Sequence, residues 1–305
     1  MNRRRVRRFL ISLVLVGILG GSAFLAIVDR SFDEIGEAGG LGGVDSGVTS
    51  LSWTPDGKRI VVSRGQDEGE ALYLVNADGS DARRLTSADG DAEDPAVSPS
   101  GKRIAYVAIP GTWGVDLYVA GADGTDAKRL THSEDVEGDP AWSPDGRQIA
   151  FVRGYDLDFK SDIYVVRADG TKARRLTHGC DLEESPSWSP DGAWIAYEAF
   201  PSVYVIPANG HGSRRLVTSG LAAPHWSPDG KRLAVVEDQT TIKIVGLQTR
   251  SIERFAVTDD QLGPDDVQTA PTDLSWSPDG RRFAFTLDGS LYALTLETGA
   301  TRRLL

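Results

Sequence analysis

Pro140-Ala-Trp-Ser-Pro-Asp-Gly-Arg-Gln-Ile-Ala-Phe-Val152, followed by Asp162-Ile-Tyr-Val-Val-Arg-Ala-Asp-Gly-Thr-Lys-Ala-Arg-Arg-Leu-Thr177, is the stretch that decides the fold. A first strand over Pro140–Ser143 runs into the turn signal Asp145-Gly146, and Arg147–Val152 follows with the alternation of a half-buried strand. Asp162–Arg167, rich in Ile, Tyr and Val, reads as a third strand. A second Asp-Gly turn at Asp169-Gly170 leads to a fourth strand over Ala173–Thr177. Asp-Gly takes the positive φ that a tight hairpin needs, so the unit is a four-stranded meander.

The unit recurs. Its first anchor stands at Trp53, Val97, Trp142, Trp188, Trp226 and Trp276, at spacings of 44, 45, 46, 38 and 50 residues. A second anchor stands at Tyr73, Tyr118, Tyr164, Tyr204, Lys243 and Tyr292, and a third at Leu85, Leu130, Leu176, Leu216, Phe255 and Leu304. Second and third anchors are 12 residues apart in all six copies, so a fixed hairpin is repeated beside a loop of variable length. A period of roughly 40–50 residues built of short strands points to propeller blades. A lone sheet leaves two apolar faces wet, whereas six packed radially bury them, and the repeated Trp and Tyr read as blade-to-blade packing. The predicted fold is all-β, a six-bladed β-propeller of four-stranded antiparallel blades over residues 49–305, with blades at about 51–94, 95–139, 140–185, 186–223, 224–273 and 274–305. No strand is left over to complete a shared blade. Blades 1 and 6 therefore either close by side-chain packing alone or gain a strand from Val44–Ser50.

In Ser-Pro-Ser-Gly-Lys-Arg-Ile-Ala-Tyr106 and Asp116-Leu-Tyr-Val-Ala-Gly-Ala-Asp-Gly-Thr-Asp-Ala-Lys-Arg-Leu-Thr131 the chain resembles the TolB-like, WD-repeat-like propeller family. The resemblance covers the propeller part, without the α/β domain that TolB itself carries ahead of it. It implies a six-bladed propeller and, by analogy, a binding role in the cell envelope. The same repeat occurs in the propellers of prolyl-oligopeptidase-like enzymes, so it names a fold more firmly than a function.

The N-terminus supplies an address. Residues 1–8 hold five arginines, and residues 9–28 form an uncharged apolar run long enough, at 1.5 Å per residue, to span about 30 Å of bilayer core. The reading is a transmembrane signal anchor with its arginines cytoplasmic, which places the propeller on the extracytoplasmic side of the cell membrane. The alternative is a cleaved signal peptide and a secreted protein. Residues 29–48 read as a Gly-rich linker. The single cysteine, Cys180, excludes an intramolecular disulfide. From residue 31 onward the chain carries 27 basic against 43 acidic residues, a formal charge of about −16. Such a domain avoids nucleic acid and suits a basic protein partner or a cation.

In a meander the two Asp-Gly turns of each blade share one face, and the within-blade and between-blade loops share the other. Three between-blade segments hold eleven carboxylates and no Lys or Arg: Asp89, Asp91, Glu93 and Asp94; Glu134, Asp135, Glu137 and Asp139; Asp181, Glu183 and Glu184. Solvation of exposed loops, a partner surface and a Ca²⁺ site each account for such a cluster. No cofactor is expected beyond that Ca²⁺ alternative. Trp113 and Tyr155 lie in within-blade loops on the same face and are candidate aromatic anchors. The basic pairs Arg83-Arg84, Lys128-Arg129, Arg174-Arg175, Arg214-Arg215 and Arg302-Arg303 fall on outer edge strands, where charge blocks sheet-to-sheet pairing. His132 and His178 follow Arg-Leu-Thr in two blades, and His225 precedes Trp226 on an inner strand facing the axis. No nucleophile elbow, zinc-helix or phosphate-loop motif is present, so no catalytic residue is assigned. The expectation is a membrane-tethered scaffold that binds an envelope protein through its acidic loop face. A ligand- or Ca²⁺-sensing propeller, or an enzyme using channel residues, is the alternative.

Overall fold

The computed structural model describes residues 48–66, 69–86, 91–109, 114–154, 160–179, 182–199, 201–212, 214–219, 222–238, 240–257, 271–287 and 290–304. Twenty-four strands among them form six four-stranded antiparallel sheets, each built from consecutive strands. The predicted membrane anchor and linker lie outside the described residues; among the described residues no helix is long and apolar enough to cross a membrane.

The first strands are Val48–Trp53, Ala92–Val97, Val136–Trp142, Glu183–Trp188, Ala222–Trp226 and Thr272–Trp276. Each lies against the first strand of the next blade, and that of blade 6 lies against that of blade 1, so the six surround the propeller axis. The ring closes without a shared blade: Val48–Ser50 belongs to the first strand of blade 1, and blade 6 has its own four strands. Among the described residues, side-chain packing joins the ends.

The core is six clusters, each wedged between successive blades. Blades 2 and 3, for example, share Ala105, Val107, Leu117 and Leu130 from one side and Trp142, Ile149 and Phe151 from the other. The seam between blades 6 and 1 is built alike, from Ala284 and Leu291 against Leu51, Trp53, Ile60 and Tyr73. The anchor tryptophans do cross between blades. Trp142 Nε1 donates to Ala96 O at 2.9 Å, Trp188 to Ala141 O at 3.1 Å and Trp276 to His225 O at 3.1 Å. The arginine two residues past the Asp-Gly or Ser-Gly turn of one blade lies over the tryptophan of the next: Arg103 over Trp142 at 4.6 Å, Arg232 over Trp276 at 5.0 Å, and Arg282 over Trp53 at 5.5 Å across the seam. The anchor tyrosines work differently, stacking within a blade on the residue opposite them, as in Tyr106–Tyr118 and Phe285–Tyr292, both 5.6 Å apart.

The turn chemistry is equally regular. In Ser143-Pro-Asp-Gly-Arg147 the Asp145 carboxylate accepts from Ser143 Oγ at 2.6 Å and from Arg147 N at 3.0 Å, while Gly146 takes φ 67°. These bonds, the Ser143 hydroxyl first, hold Asp145 below the ordinary carboxylate value. Each turn glycine sits against the turn proline of the preceding blade, Gly146 on Pro99 and, across the seam, Gly57 on Pro278.

Arg-Leu-Thr, too, has a job. Thr86, Thr131 and Thr177 each accept from a third-strand N–H (Leu72, Leu117 and Ile163), and Arg84, Arg129 and Arg175 each donate Nε to the threonine carbonyl. Blade 4 has Val217 in place of that threonine, and its fourth strand is slipped by one residue. Leu216 pairs with Tyr204, where the other blades pair an arginine, and is 63% exposed while Leu176 is buried. Blades 5 and 6 also lack that threonine yet keep an arginine opposite the second anchor, Arg254 on Lys243 and Arg303 on Tyr292, so the missing hydroxyl alone does not set the slip.

Candidate functional site

Backbone bulges shape the loop-face end of the axis. Every first strand carries a register irregularity. At the bulge Asp94, Asp139, Ser185 and Ala223 all take φ between 50° and 52°, a left-handed conformation that aspartate tolerates better than most residues. The bulge N–H groups are met from the preceding blade: Asp94 N donates to Ser50 Oγ at 3.1 Å, Asp139 N to Asp94 Oδ2 at 3.3 Å and Ser185 N to Asp139 Oδ2 at 3.1 Å. In blade 5, Ala223 N–H donates to the Glu198 carboxylate. Carboxylates are thus drawn into a ring because the bulges need acceptors there.

The residues predicted on the loop face divide into four groups. Asp89, Asp181, Trp113 and Tyr155 lie outside the described residues. Glu134 and Asp135 are exposed in the loop between blades 2 and 3, with Ser133 Oγ donating to Asp135. Glu93, Asp94, Asp139 and Glu184 are half-buried on first strands, one step deeper than the loops assigned to them; Asp91 just precedes such a strand and accepts from Glu70 N at 2.7 Å. Glu137 and Glu183 are fully buried. Glu137 accepts from Arg153 Nε at 2.9 Å and Nη2 at 2.7 Å, from Leu117 N at 3.0 Å and from Thr131 Oγ1, and Glu183 faces Arg214 at 3.4 Å. The difference arises because the first strands start several residues before the tryptophan, so acids that look like loop residues are in the wall.

Electrostatics mark this region. Glu198, on the second strand of blade 4 and paired across the sheet with Glu184, has its carboxyl pushed well up, by burial first and then by Glu184 and Asp139. Three carboxylates therefore share one neighbourhood, and burial beside two like charges disfavours the charged form of the deepest. The sequence reading missed Glu198. Burial lowers the His225 imidazole to about 4, so it stays neutral, and its carbonyl serves Trp276. His132 and His178 are exposed. Among the described residues no group of three or more His, Cys, Asp or Glu side chains is placed to hold a metal ion. Asp78 and Asp123, in the Asp-Gly-Ser and Asp-Gly-Thr turns, spend an oxygen on the Ser80 and Thr125 hydroxyl and N–H groups.

Six linked blades with this turn chemistry match a known family model, PD40, described as TolB beta propeller domain, over residues 44–159 and 92–265. The chain belongs to this TolB beta-propeller family. TolB from Acinetobacter baumannii superposes with a TM-score of 0.64 at 20% identity, over 84% of this chain and 62% of that one. A TolB-assigned protein from Agrobacterium tumefaciens gives 0.60 at 22% identity, over 76% and 87%. A nidogen/laminin complex gives 0.58 at 16%, over 68% and 80%, so the shared feature at these identities is the fold. The chain spans less than two thirds of the Acinetobacter protein. The basic pairs gain a second role: Arg129 and Arg175 turn inward to Asp116 at 2.7 Å and Asp162 at 2.6 Å, the acids that open the third strands of their own blades.

Proposed function

We propose that this chain is a protein-binding propeller of the cell envelope, tethered by its N-terminal apolar run, whose contact surface is the loop face around the mouth of the axis. TolB-like propellers form a family of protein-interaction modules. The observation that carries the reading is the convergence on one face of half-buried Asp94, Asp139 and Glu184 around the axis, with exposed Glu134 and Asp135 beyond them. A rigid ring of first strands holds these oxygens in place, and rigid presentation lowers the ordering cost of binding. Negative potential at the mouth speeds encounter with a cationic group, and contacts beside it set the dissociation rate.

The test is crosslinking capture from native envelopes with the full chain as bait, beside a variant with Glu93, Glu134, Asp135 and Glu184 changed to their amides. A protein retained by the first bait and lost from the second supports this contact surface. Identical capture by both sinks it. Glu137 and Glu183 stay untouched, because both are internal.

A further inference from the structure

The opposite face carries the opposite charge in one sector. A groove of about 720 Å³ opens on the Asp-Gly turn face where blade 3 meets blade 2. Five cations line it: Arg103, Arg147, Arg167, Lys172 and Arg174. Its two acids, Asp145 and Asp169, are already engaged in their turns, by Ser143 and Arg147 N and by Thr171. None of the five cations forms an ion pair with a carboxylate among the described residues. Arg103 donates to Gly146 O at 2.9 Å and Arg174 to Ala208 O at 2.6 Å, so both forks are fixed by backbone carbonyls. Burial alone holds the Arg174 guanidinium below its ordinary value, the mark of a cation half-withdrawn from water.

We infer that this groove is a second docking site, for a peptide segment of a partner protein bearing two or three carboxylates. Fixed guanidinium forks match carboxylates, and Lys172 and Arg147 are exposed to complete the contact. A peptide of modest charge fits better than a dense polyanion, because Asp145 and Asp169 stand inside the groove and the chain as a whole carries −11. The inference is independent of the loop-face reading, since it uses other residues on the other face.

The test is fluorescence anisotropy on the full-length chain in neutral detergent, with a labelled peptide carrying three glutamates and its glutamine twin. The glutamate peptide binds, the twin does not, and added salt weakens the complex. Arg147→Glu with Lys172→Glu weakens binding by at least about tenfold, with both side chains exposed so that the fold stands. Lys231→Glu with Arg281→Glu, the same change of net charge at equivalent turns of blades 5 and 6, leaves binding unchanged. Equal binding of the twin, or equal loss in both double variants, overturns the site. Tripolyphosphate binding where the glutamate peptide does not overturns the peptide as its ligand.

Discussion

Replacing Glu137 by alanine tests how an acid in a nominal loop came to be structural. The substitution removes the acceptor of both Arg153 bonds, of the Thr131 hydroxyl bond and of one Leu117 N–H bond. Breaking a buried pair from one side costs about 3–5 kcal/mol. Two features place this case at the low end, near about 3 kcal/mol: the Arg153 side chain is 20% exposed, and it keeps its place over the Tyr164 ring at 4.7 Å. Leu117 N also retains Thr131 Oγ1 at 2.9 Å. Glu137→Gln behaves differently. Burial outweighs the Thr131 and Arg153 contacts and raises the Glu137 carboxyl above its ordinary value of 4.5. The folded chain thus binds the proton more tightly than the unfolded one, and stability falls as pH rises from the unfolded value through the folded one. Glutamine keeps an acceptor and lacks that slope, so it costs no more than about 1 kcal/mol at neutral pH. Urea denaturation of the three proteins at several pH values is the assay. An unchanged midpoint for the alanine variant, or equal losses for alanine and glutamine, refutes the reasoning.

Three further outcomes follow from the same geometry. Glu198→Gln stabilises the protein above the ordinary glutamate range and flattens its pH dependence there, because the raised carboxyl must otherwise ionise in a buried site beside Glu184 and Asp139; melting temperatures between pH 5 and pH 8 read this out. Thr131→Val, which strips the hydroxyl from both Glu137 and Leu117 N, lowers stability by about 2 kcal/mol in the same urea assay. Arg250→Gly raises it by roughly 0.5–1 kcal/mol, since Arg250 holds φ 56° at an exposed turn position where blade 6 has Gly299 at φ 69°.

Much of the fold was legible because the blades repeat their instructions: a tryptophan anchor in five of them, Asp-Gly or Ser-Gly at the first turn of all six, and Arg-Leu-Thr on the outer strand of blades 1 to 3. Blade 4 departs from the pattern at its outer strand, where Leu216 is slipped by one residue. The candidate site was harder to read. Its acids were visible as a cluster, but their depth depended on where the first strands begin, which hydrophobic alternation marks poorly when Glu, Asp and Pro occupy the strand. Glu198 had a signal that aligning the six copies exposes. Ser63, Val107, Val152, Val236 and Thr286 occupy the same place ten residues past the first anchor, all buried, and only blade 4 puts a carboxylate there. The basic groove had no comparable signal, because its five cations come from four separate turn and strand segments of two blades.

The seam between blades 6 and 1 uses parts found at the other junctions: a glycine on a proline and an apolar cluster, as at all five, and a tryptophan under an arginine, as between blades 2 and 3 and blades 5 and 6. Among the described residues no strand crosses it, so this junction is of the same kind as the five the chain runs through. Linking the segment after Leu304 to the one before Val48, and cutting between two other blades, is expected to give a permuted protein with the same six sheets. By the same logic a blade is gained or lost by copying or deleting one repeat, with no strand to re-pair at the ends.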